Sequence, residues 1–260
     1  MLKHDEKLEW LSDETSIIVS KAHRFGTDAI LLADFACIKK NDLACDLGTG
    51  CGIIPMLWCG KNKGKTVYGV EIQEDAAKMA ARSVLHNRLD ERVVILNSDL
   101  KELKGKLPHA KFDLVTCNPP YKAPGAGIVS AEDSDKIARH ETMCTLDDIV
   151  KASNFLLKSG GRLCMCMRPE RLTSVIMSMK ENKIEPKRLR LVSQRNNTAP
   201  WLFLIEGKKD AKPNISVLPH LFIENSKGNF TKDMIEIYGE YKNRYLQLKV
   251  GRKARKAHFL

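Results

Sequence analysis

Short apolar runs alternate with helical patterns along most of this chain, and this alternation limits the folds that it can adopt. The runs predict strands at Leu43–Leu47, Thr66–Glu71, Val93–Leu96, Asp113–Cys117, Arg162–Met167, Leu189–Val192 and Trp201–Ile205. Strands that are apolar along their whole length are buried on both faces, as in parallel sheets covered by helices on either side. The sequence therefore predicts a doubly wound α/β domain with a mostly parallel sheet.

Three segments with helical patterns lie around these runs: Gly26–Ile38, Glu74–Asn87 and Thr145–Lys158. Thr27 or Asp28 is placed to cap the first helix, and Gly160-Gly161 follow the expected end of the last. Only Ser193–Pro200 separates the final two strands, which is too short for a helical crossover. We expect those two strands to pair antiparallel near one edge of the sheet.

The composition changes towards both ends of the chain. Residues 1–22 predict an N-terminal appendage with a β-prone patch at Thr15–Ser20, residues 23–248 the main domain, and residues 249–260 a basic tail. No apolar run approaches the roughly 18 residues that a membrane-spanning helix needs. The opening Met1–Glu6 is charged, unlike a secretory signal. We expect a cytoplasmic protein, with a monomer favoured and no membrane partner.

The eight cysteines lie mostly in apolar segments, and none forms a Cys-x-x-Cys pair. They are expected to be buried, reduced thiols rather than disulfides or metal ligands, so no metal site is predicted. Cys164 and Cys166 alternate on one predicted strand, which places both on the same face.

Charge favours a polyanionic partner. The chain has 43 Lys plus Arg and 32 Asp plus Glu, a formal net charge of +11. Such an excess suits RNA, because contacts with phosphates release counterions. A basic composition without any specific partner is the competing interpretation.

A glycine-rich turn, Asp46-Leu47-Gly48-Thr49-Gly50-Cys51-Gly52, follows the first strong strand. Ligands of doubly wound sheets bind at such carboxyl ends of strands. The acid that opens the turn would repel a pyrophosphate but tolerate a cationic ligand. Glu71 ends the second strand, where it can accept hydrogen bonds from ribose hydroxyls, and Asp99 follows the third, near an adenine amine. This series predicts an S-adenosylmethionine site; a structural turn and a nicotinamide dinucleotide site are the alternatives.

The fourth strand runs into Asn118-Pro119-Pro120-Tyr121. Two prolines stiffen this turn, so that the Asn118 side-chain oxygen and the Pro119 carbonyl form two fixed acceptors. They suit a planar amine with two hydrogens, such as adenine N6 or a carboxamide nitrogen, and would stabilise the positive charge that grows as it attacks a methyl group. Tyr121 is placed to stack on a base. A rigid turn with a core tyrosine is the structural alternative.

The segments GTDAILLADFA, DLGTGCG, VEI and CNPPY, in this order, resemble the bacterial tRNA adenine-N6 methyltransferases. That family belongs to the class I S-adenosylmethionine enzymes with a small methyltransferase domain. The resemblance implies a Rossmann-like, seven-stranded sheet and, as target, an adenosine in the anticodon loop of a valine tRNA. It implies catalysis at Asn118, Pro119, Pro120 and Tyr121. It also implies that the Gly26-Thr27-Asp28 turn lies near the cofactor, with the capping role as the alternative. The implied cofactor contacts are Asp46, Gly48, Thr49, Gly50, Gly52, Glu71, Ile72, Asp99, Leu100 and Asn118.

A long segment after the catalytic turn, Lys122–Thr145, is a candidate for reading the substrate. We expect four residues to contact RNA: Tyr121, Lys122, Arg139 and His140. His140 is interpreted as a positioning group rather than a base, because the proton can leave to water after methyl transfer.

Three other functions fit parts of the pattern. A protein glutamine-N5 methyltransferase uses the same four-residue turn, and an RNA guanine-N2 methyltransferase uses a similar one. A non-catalytic RNA-binding module that keeps the cofactor fold is the third.

Overall fold

Strands and helices alternate along the chain, as the apolar runs predict. The computed structural model describes residues 2–119, 144–239 and 241. The strands in these ranges are β1 Lys7–Trp10, β2 Ser16–Val19, β3 Leu43–Leu47, β4 Thr66–Glu71, β5 Val93–Asn97, β6 Phe112–Cys117, β7 Leu157–Met167, β8 Ile184–Ser193, β9 Leu202–Lys209, β10 Ser216–Val217 and β11 Leu221–Phe222. The helices are α1 Thr27–Phe35, α2 Ile53–Gly60, α3 Glu74–His86, α4 Leu146–Leu156, α5 Leu172–Glu181 and α6 Lys232–Tyr238.

The main sheet contains the seven predicted strands in the order β5-β4-β3-β6-β7-β9-β8. Neighbours from β5 to β7 are parallel, whereas β9 is antiparallel to both β7 and β8. The two-residue strands β10 and β11 add parallel pairs to β8. The predicted fold class and the antiparallel pair near one edge are confirmed. The chain order reverses between β3 and β6, which is where ligands of doubly wound sheets bind.

Each face of the sheet has its own apolar core. Leu114, Cys164 and Cys166 face the side covered by α1, α2 and α3. Val115 and Met165 face the side covered by α4 and α5. The period-two alternation of strand side chains explains this division. It also confirms that the two cysteines share one buried face.

The start of α1 differs from the expectation. Gly26 occupies the N-cap position with extended backbone, and no side chain caps the helix there. The predicted capping role of Thr27 or Asp28 is therefore wrong, because both lie inside the first turn. Their side chains make long-range contacts instead, with Tyr238 and Asn118 respectively.

The end of α4 also differs. A capping box at Thr145 starts this helix, but it ends at Leu156 rather than Lys158. Leu157 already pairs with Phe112 of β6, so the chain turns from helix directly into strand. Gly161 lies inside β7, where an added Cβ would stand 2.8 Å from the Phe112 carbonyl oxygen. Sheet pairing thus ends the helix before the glycines.

The N-terminal segment forms an antiparallel hairpin of β1 and β2, as the β-prone patch predicts. The backbone N–H of Ile18 donates to Ser83 Oγ at 2.9 Å. Asn87 accepts from the N–H of Ser16 at 2.9 Å and donates to its carbonyl at 2.7 Å. These bonds fix the hairpin on α3. The domain boundaries at residues 22 and 248 stay predictions.

All eight cysteines are free, and six of them are buried, which confirms the expectation of mostly buried thiols. Within the described ranges, no three or more His, Cys, Asp or Glu side chains are grouped so that they could hold a metal ion. Nor does any helix in those ranges combine the length and apolar character needed to cross a membrane.

Candidate active site

The predicted site residues lie at one edge of the sheet, where the parallel strands end. Gly48 follows β3, Ile72 follows β4, Asp99 follows β5, and Asn118 follows β6. Arg168 follows β7 at the same edge. The fold therefore gathers residues from five separate strand ends into one region.

The glycine loop adopts left-handed backbone at three positions. Gly48, Gly50 and Gly52 have φ values of +69°, +56° and +84°, which favour glycine. A Cβ added at Gly48 or Gly50 would meet nothing within 4 Å, whereas one at Gly52 would lie 3.1 Å from the Ala80 Cβ. The first two glycines thus border open space in which a ligand can approach the backbone, and Gly52 packs against α3.

Asp46 is buried at the end of β3. Its Oδ1 accepts a hydrogen bond from Thr116 Oγ1 at 2.7 Å. Burial, with a smaller contribution from the nearby charge of Glu71, raises the pKa of the Asp46 carboxyl to about 7. A cationic ligand would favour the ionised form of this acid.

Glu71 connects the glycine loop to the end of β4. Its Oε2 accepts from the Gly50 N–H at 2.8 Å, and its Oε1 accepts from the Gln73 N–H at 2.9 Å. A carboxylate oxygen can accept two hydrogen bonds, so both oxygens keep capacity for ligand hydroxyls. Asp99 starts a short 3-10 turn and accepts from the Lys101 N–H at 2.9 Å.

A small cavity of about 50 Å³ lies at the ends of β3, β4 and β5, and we refer to it as the β3–β5 cavity. It is lined by Gly48, Val70, Ile72, Ser98, Asp99, Leu100 and Cys144. Four of these residues were predicted cofactor contacts: Gly48, Ile72, Asp99 and Leu100. Cys144 was not predicted, because it is distant in sequence from the other lining residues and carries no motif.

The Asn118 amide is held on both sides. Its Nδ2 donates to Asp28 Oδ2 at 3.2 Å, and Cys166 Sγ donates to its Oδ1 at 3.0 Å. A carboxylate only accepts hydrogen bonds, so the amide nitrogen must face Asp28. Burial raises the pKa of the Cys166 thiol well above its usual value, which keeps the sulfur protonated and able to donate.

Two consequences follow from this arrangement. The Asn118 oxygen is fixed as an acceptor, and one of its two lone-pair positions remains free for a ligand after the Cys166 contact.

Sequence reasoning missed the roles of Asp28 and Cys166. Asp28 lay in a quoted motif and was interpreted either as a helix cap or as part of a turn near the cofactor, and neither interpretation included a contact with Asn118. Cys166 carried only the signal of a buried strand.

A larger cavity of about 630 Å³ opens at the ends of β7 and β8 and the start of β9, and we refer to it as the β7–β9 cavity. It is lined by Thr27, Asp28, Arg168, Gln194, Thr198, Ala199, Trp201, Ile223, Glu224 and Phe230. Asp28, which holds the Asn118 amide, is part of its wall. In the order of strands, β6 and Asn118 stand between this cavity and the β3–β5 cavity.

The remaining predicted residues lie at or beyond the limits of the described chain. Pro119 is buried and is the last residue described before the gap. Pro120, Tyr121, Lys122, Arg139 and His140 lie outside the described residues, as does the basic tail. Their roles stay predictions.

Comparison with known proteins identifies the family of the chain. Residues 22–185, more than half of the sequence, match the model of the methyltransferase small domain. The chain belongs to the methyltransferase small domain family. The expectation of a methyltransferase is thereby confirmed.

Curated relatives match most of the chain. A Parabacteroides distasonis protein is 25% identical over 222 residues, which are 85% of this chain and 91% of that protein. A Porphyromonas gingivalis protein is 30% identical over 182 residues, 67% of each chain. Both are named tRNA1(Val) (adenine(37)-N6)-methyltransferase.

Solved methyltransferases share the fold. A predicted O-methyltransferase of Agrobacterium tumefaciens has a TM-score of 0.67 at 20% identity, covering 82% of this chain and 96% of its own. TYW2 of M. jannaschii, solved with AdoMet, has a TM-score of 0.53 at 13% identity, covering 80% of this chain and 87% of its own. These similarities agree with the Rossmann-like class I architecture.

Proposed function

We propose that this methyltransferase transfers a methyl group from S-adenosylmethionine to the exocyclic N6 of an adenine in RNA. Because its relatives are named for this activity, we propose tRNA1(Val) as the substrate and adenine 37 as the target. The observation that carries the proposal is the position of Asn118. Its amide is fixed as an acceptor between the β3–β5 cavity and the β7–β9 cavity.

The residues present suit S-adenosylmethionine. Gly48 and Gly50 leave an open cradle along their backbone. Beside it, Asp46 is an acid whose charge a cationic donor would stabilise, and Glu71 keeps acceptor capacity for two ribose hydroxyls. Asp99 lies in the β3–β5 cavity, where it would accept from an adenine amine. When bound, S-adenosylmethionine supplies an electrophilic methyl group.

Asn118 and Pro119 would act on the amine that receives the methyl group. Asn118 Oδ1 and the Pro119 carbonyl would accept its two hydrogens, which stabilises positive charge developing on the nitrogen. Cys166 and Asp28 prevent the amide from turning its nitrogen towards the amine. The surplus proton would leave to water, so no base is required. Tyr121 would stack on the base.

The net charge of +11 supports an RNA partner. We propose that Lys122, Arg139 and His140 contact the tRNA, and that the enzyme acts as a monomer in the cytoplasm, where its substrate is found.

The direct test is methylation of tRNA1(Val) transcript by purified protein and S-adenosylmethionine. Mass spectrometry of digested nucleosides should detect N6-methyladenosine, and a transcript with guanosine at position 37 should give none. Asn118→Ala should lower turnover by about 100-fold to 1,000-fold, the usual cost of losing a charge-stabilising group. Its affinity for S-adenosylmethionine, measured by calorimetry, should change less than about 2-fold.

Each alternative predicts a different product. N2-methylguanosine would identify a guanine methyltransferase, and a methylated glutamine in a protein would identify a glutamine methyltransferase. Absence of cofactor binding would identify an RNA-binding module. An equal loss of turnover and cofactor affinity in Asn118→Ala would mean that this residue shapes the cofactor pocket instead.

A further inference from the structure

We infer that the β7–β9 cavity receives the target base, with Trp201 and Phe230 as aromatic walls for it. This inference rests on the proposed function and deepens it. It assigns a nucleobase site to residues outside the glycine loop and the Asn-Pro-Pro-Tyr turn.

Position is the first argument. The cavity wall includes Asp28, whose Oδ2 lies 3.2 Å from the Asn118 amide nitrogen. The cavity wall is therefore directly hydrogen-bonded to Asn118, the residue proposed to bind the amine. None of the residues that line the β3–β5 cavity is shared with the β7–β9 cavity. A base in the larger cavity would thus leave the proposed cofactor pocket free.

Size and lining are the second argument. A volume of about 630 Å³ falls within the range of about 300–1,000 Å³ that is typical of small-ligand sites. Two aromatic rings, an arginine and two carboxylates line it. Sequence-reading proteins bind unstacked RNA bases with such groups, stacking on aromatic rings and hydrogen-bonding to base edges. The carboxylates of Asp28 and Glu224 can accept hydrogen bonds from the amine of a base, and Glu224 also pairs with Arg195 at 2.8 Å.

Rigidity is the third argument, because neighbouring side chains hold each aromatic wall in place. Arg168 Nη1 donates to the Trp201 carbonyl at 2.7 Å, and its guanidinium carbon lies 5.4 Å from the centroid of the Trp201 ring. The Phe230 ring packs against Tyr238 with centroids 5.0 Å apart. Tyr238 in turn shares a hydrogen bond of 2.9 Å with Thr27 of α1. Fixed rings lose little entropy when a base stacks on them.

The test uses a tRNA1(Val) anticodon stem-loop with 2-aminopurine at position 37. Binding to the wild-type protein should quench the 2-aminopurine fluorescence, and Trp201→Ala and Phe230→Ala should each reduce that quenching. With the adenosine-containing stem-loop, each variant should lower kcat/KM by about 10-fold to 100-fold, the effect of losing one stacking contact. Trp201→Phe, which keeps a ring, should stay within about 3-fold of wild type.

Two controls separate this site from folding and from the cofactor pocket. Trp10→Ala, on β1 and outside the cavity lining, should change neither quenching nor kcat/KM. Affinity for S-adenosylmethionine and the thermal midpoint of Trp201→Phe should match wild type.

The outcomes distinguish the inference from the proposed function. If wild type forms N6-methyladenosine while Trp201→Ala and Phe230→Ala keep full kcat/KM and quenching, the base does not occupy this cavity. A parallel loss of cofactor affinity in both variants would likewise overturn the inference. If wild type leaves the tRNA unmethylated, the proposed function fails first.

Discussion

Asp46 provides a pH-dependent test of the proposed cofactor site. Its carboxyl is buried, which raises its pKa to about 7, and it stands at the start of the glycine loop. With that pKa, its ionised share rises from about one tenth at pH 6 to about nine tenths at pH 8. If the cationic cofactor binds the ionised form, affinity should increase about 10-fold across this range. Asp46→Asn should remove that increase.

Isothermal titration calorimetry at pH 6, 7 and 8 measures this effect. The cofactor's own amino group also titrates, so the informative quantity is the ratio of wild-type to Asp46→Asn affinity at each pH. Below pH 7, repeating the titration in buffers of different ionisation enthalpy should reveal release of a proton in wild type only. The same pH slope in both proteins would refute the assignment of Asp46.

The pH dependence of the unfolding free energy of the ligand-free protein tests the raised pKa of Asp46 independently. Because the folded-state pKa of Asp46 is raised from 3.8 to about 7, the native state holds the proton more tightly than the unfolded state. The unfolding free energy should therefore fall as pH rises from about 4 to about 7, by up to the order of 4 kcal/mol. In urea denaturation, the unfolding free energy of Asp46→Asn should lack this decline between about pH 4 and about pH 7.

Two further substitutions test how the fold supports the site. Glu206→Gln should lower the unfolding free energy by about 3 kcal/mol in urea denaturation, because it removes the buried carboxylate that lies 2.7 Å from Arg188 and 3.0 Å from Arg162. Arg162 keeps a second buried partner, Asp42, at 3.5 Å. Gly52→Ala should cost about 2 kcal/mol in the same assay. Its φ of +84° disfavours a side chain, and the new Cβ would stand 3.1 Å from Ala80.

Matched controls accompany both substitutions. Glu185→Gln breaks the pair with the exposed Lys180 and should cost no more than about 1 kcal/mol. A similar loss for Glu206→Gln would contradict the buried ion-pair argument. Gly50→Ala carries the left-handed backbone cost without a steric contact, so it should destabilise less than Gly52→Ala. It should weaken cofactor binding more, and the reverse ranking would contradict the assigned roles.

The strands and the main motifs were predictable because their signals are local. The runs at Leu43–Leu47 and Thr66–Glu71 matched β3 and β4 at both ends. Predictions that depended on contacts between distant segments were less accurate. Sheet pairing of Leu157 ended α4 early, and Asp28 contacts a residue 90 positions away instead of capping α1.

Local sequence patterns were sufficient to specify the alternation of strands and helices, the glycine loop and the Asn-Pro turn, since apolar periodicity and turn chemistry act between near neighbours in the chain. The hydrogen-bond partners of Asn118, the raised pKa of Asp46 and the cavity beside Trp201 became visible only in the folded protein. Each of these depends on burial and on side chains from separate strand ends meeting at one sheet edge. Packing creates that proximity, which no local pattern in the sequence encodes.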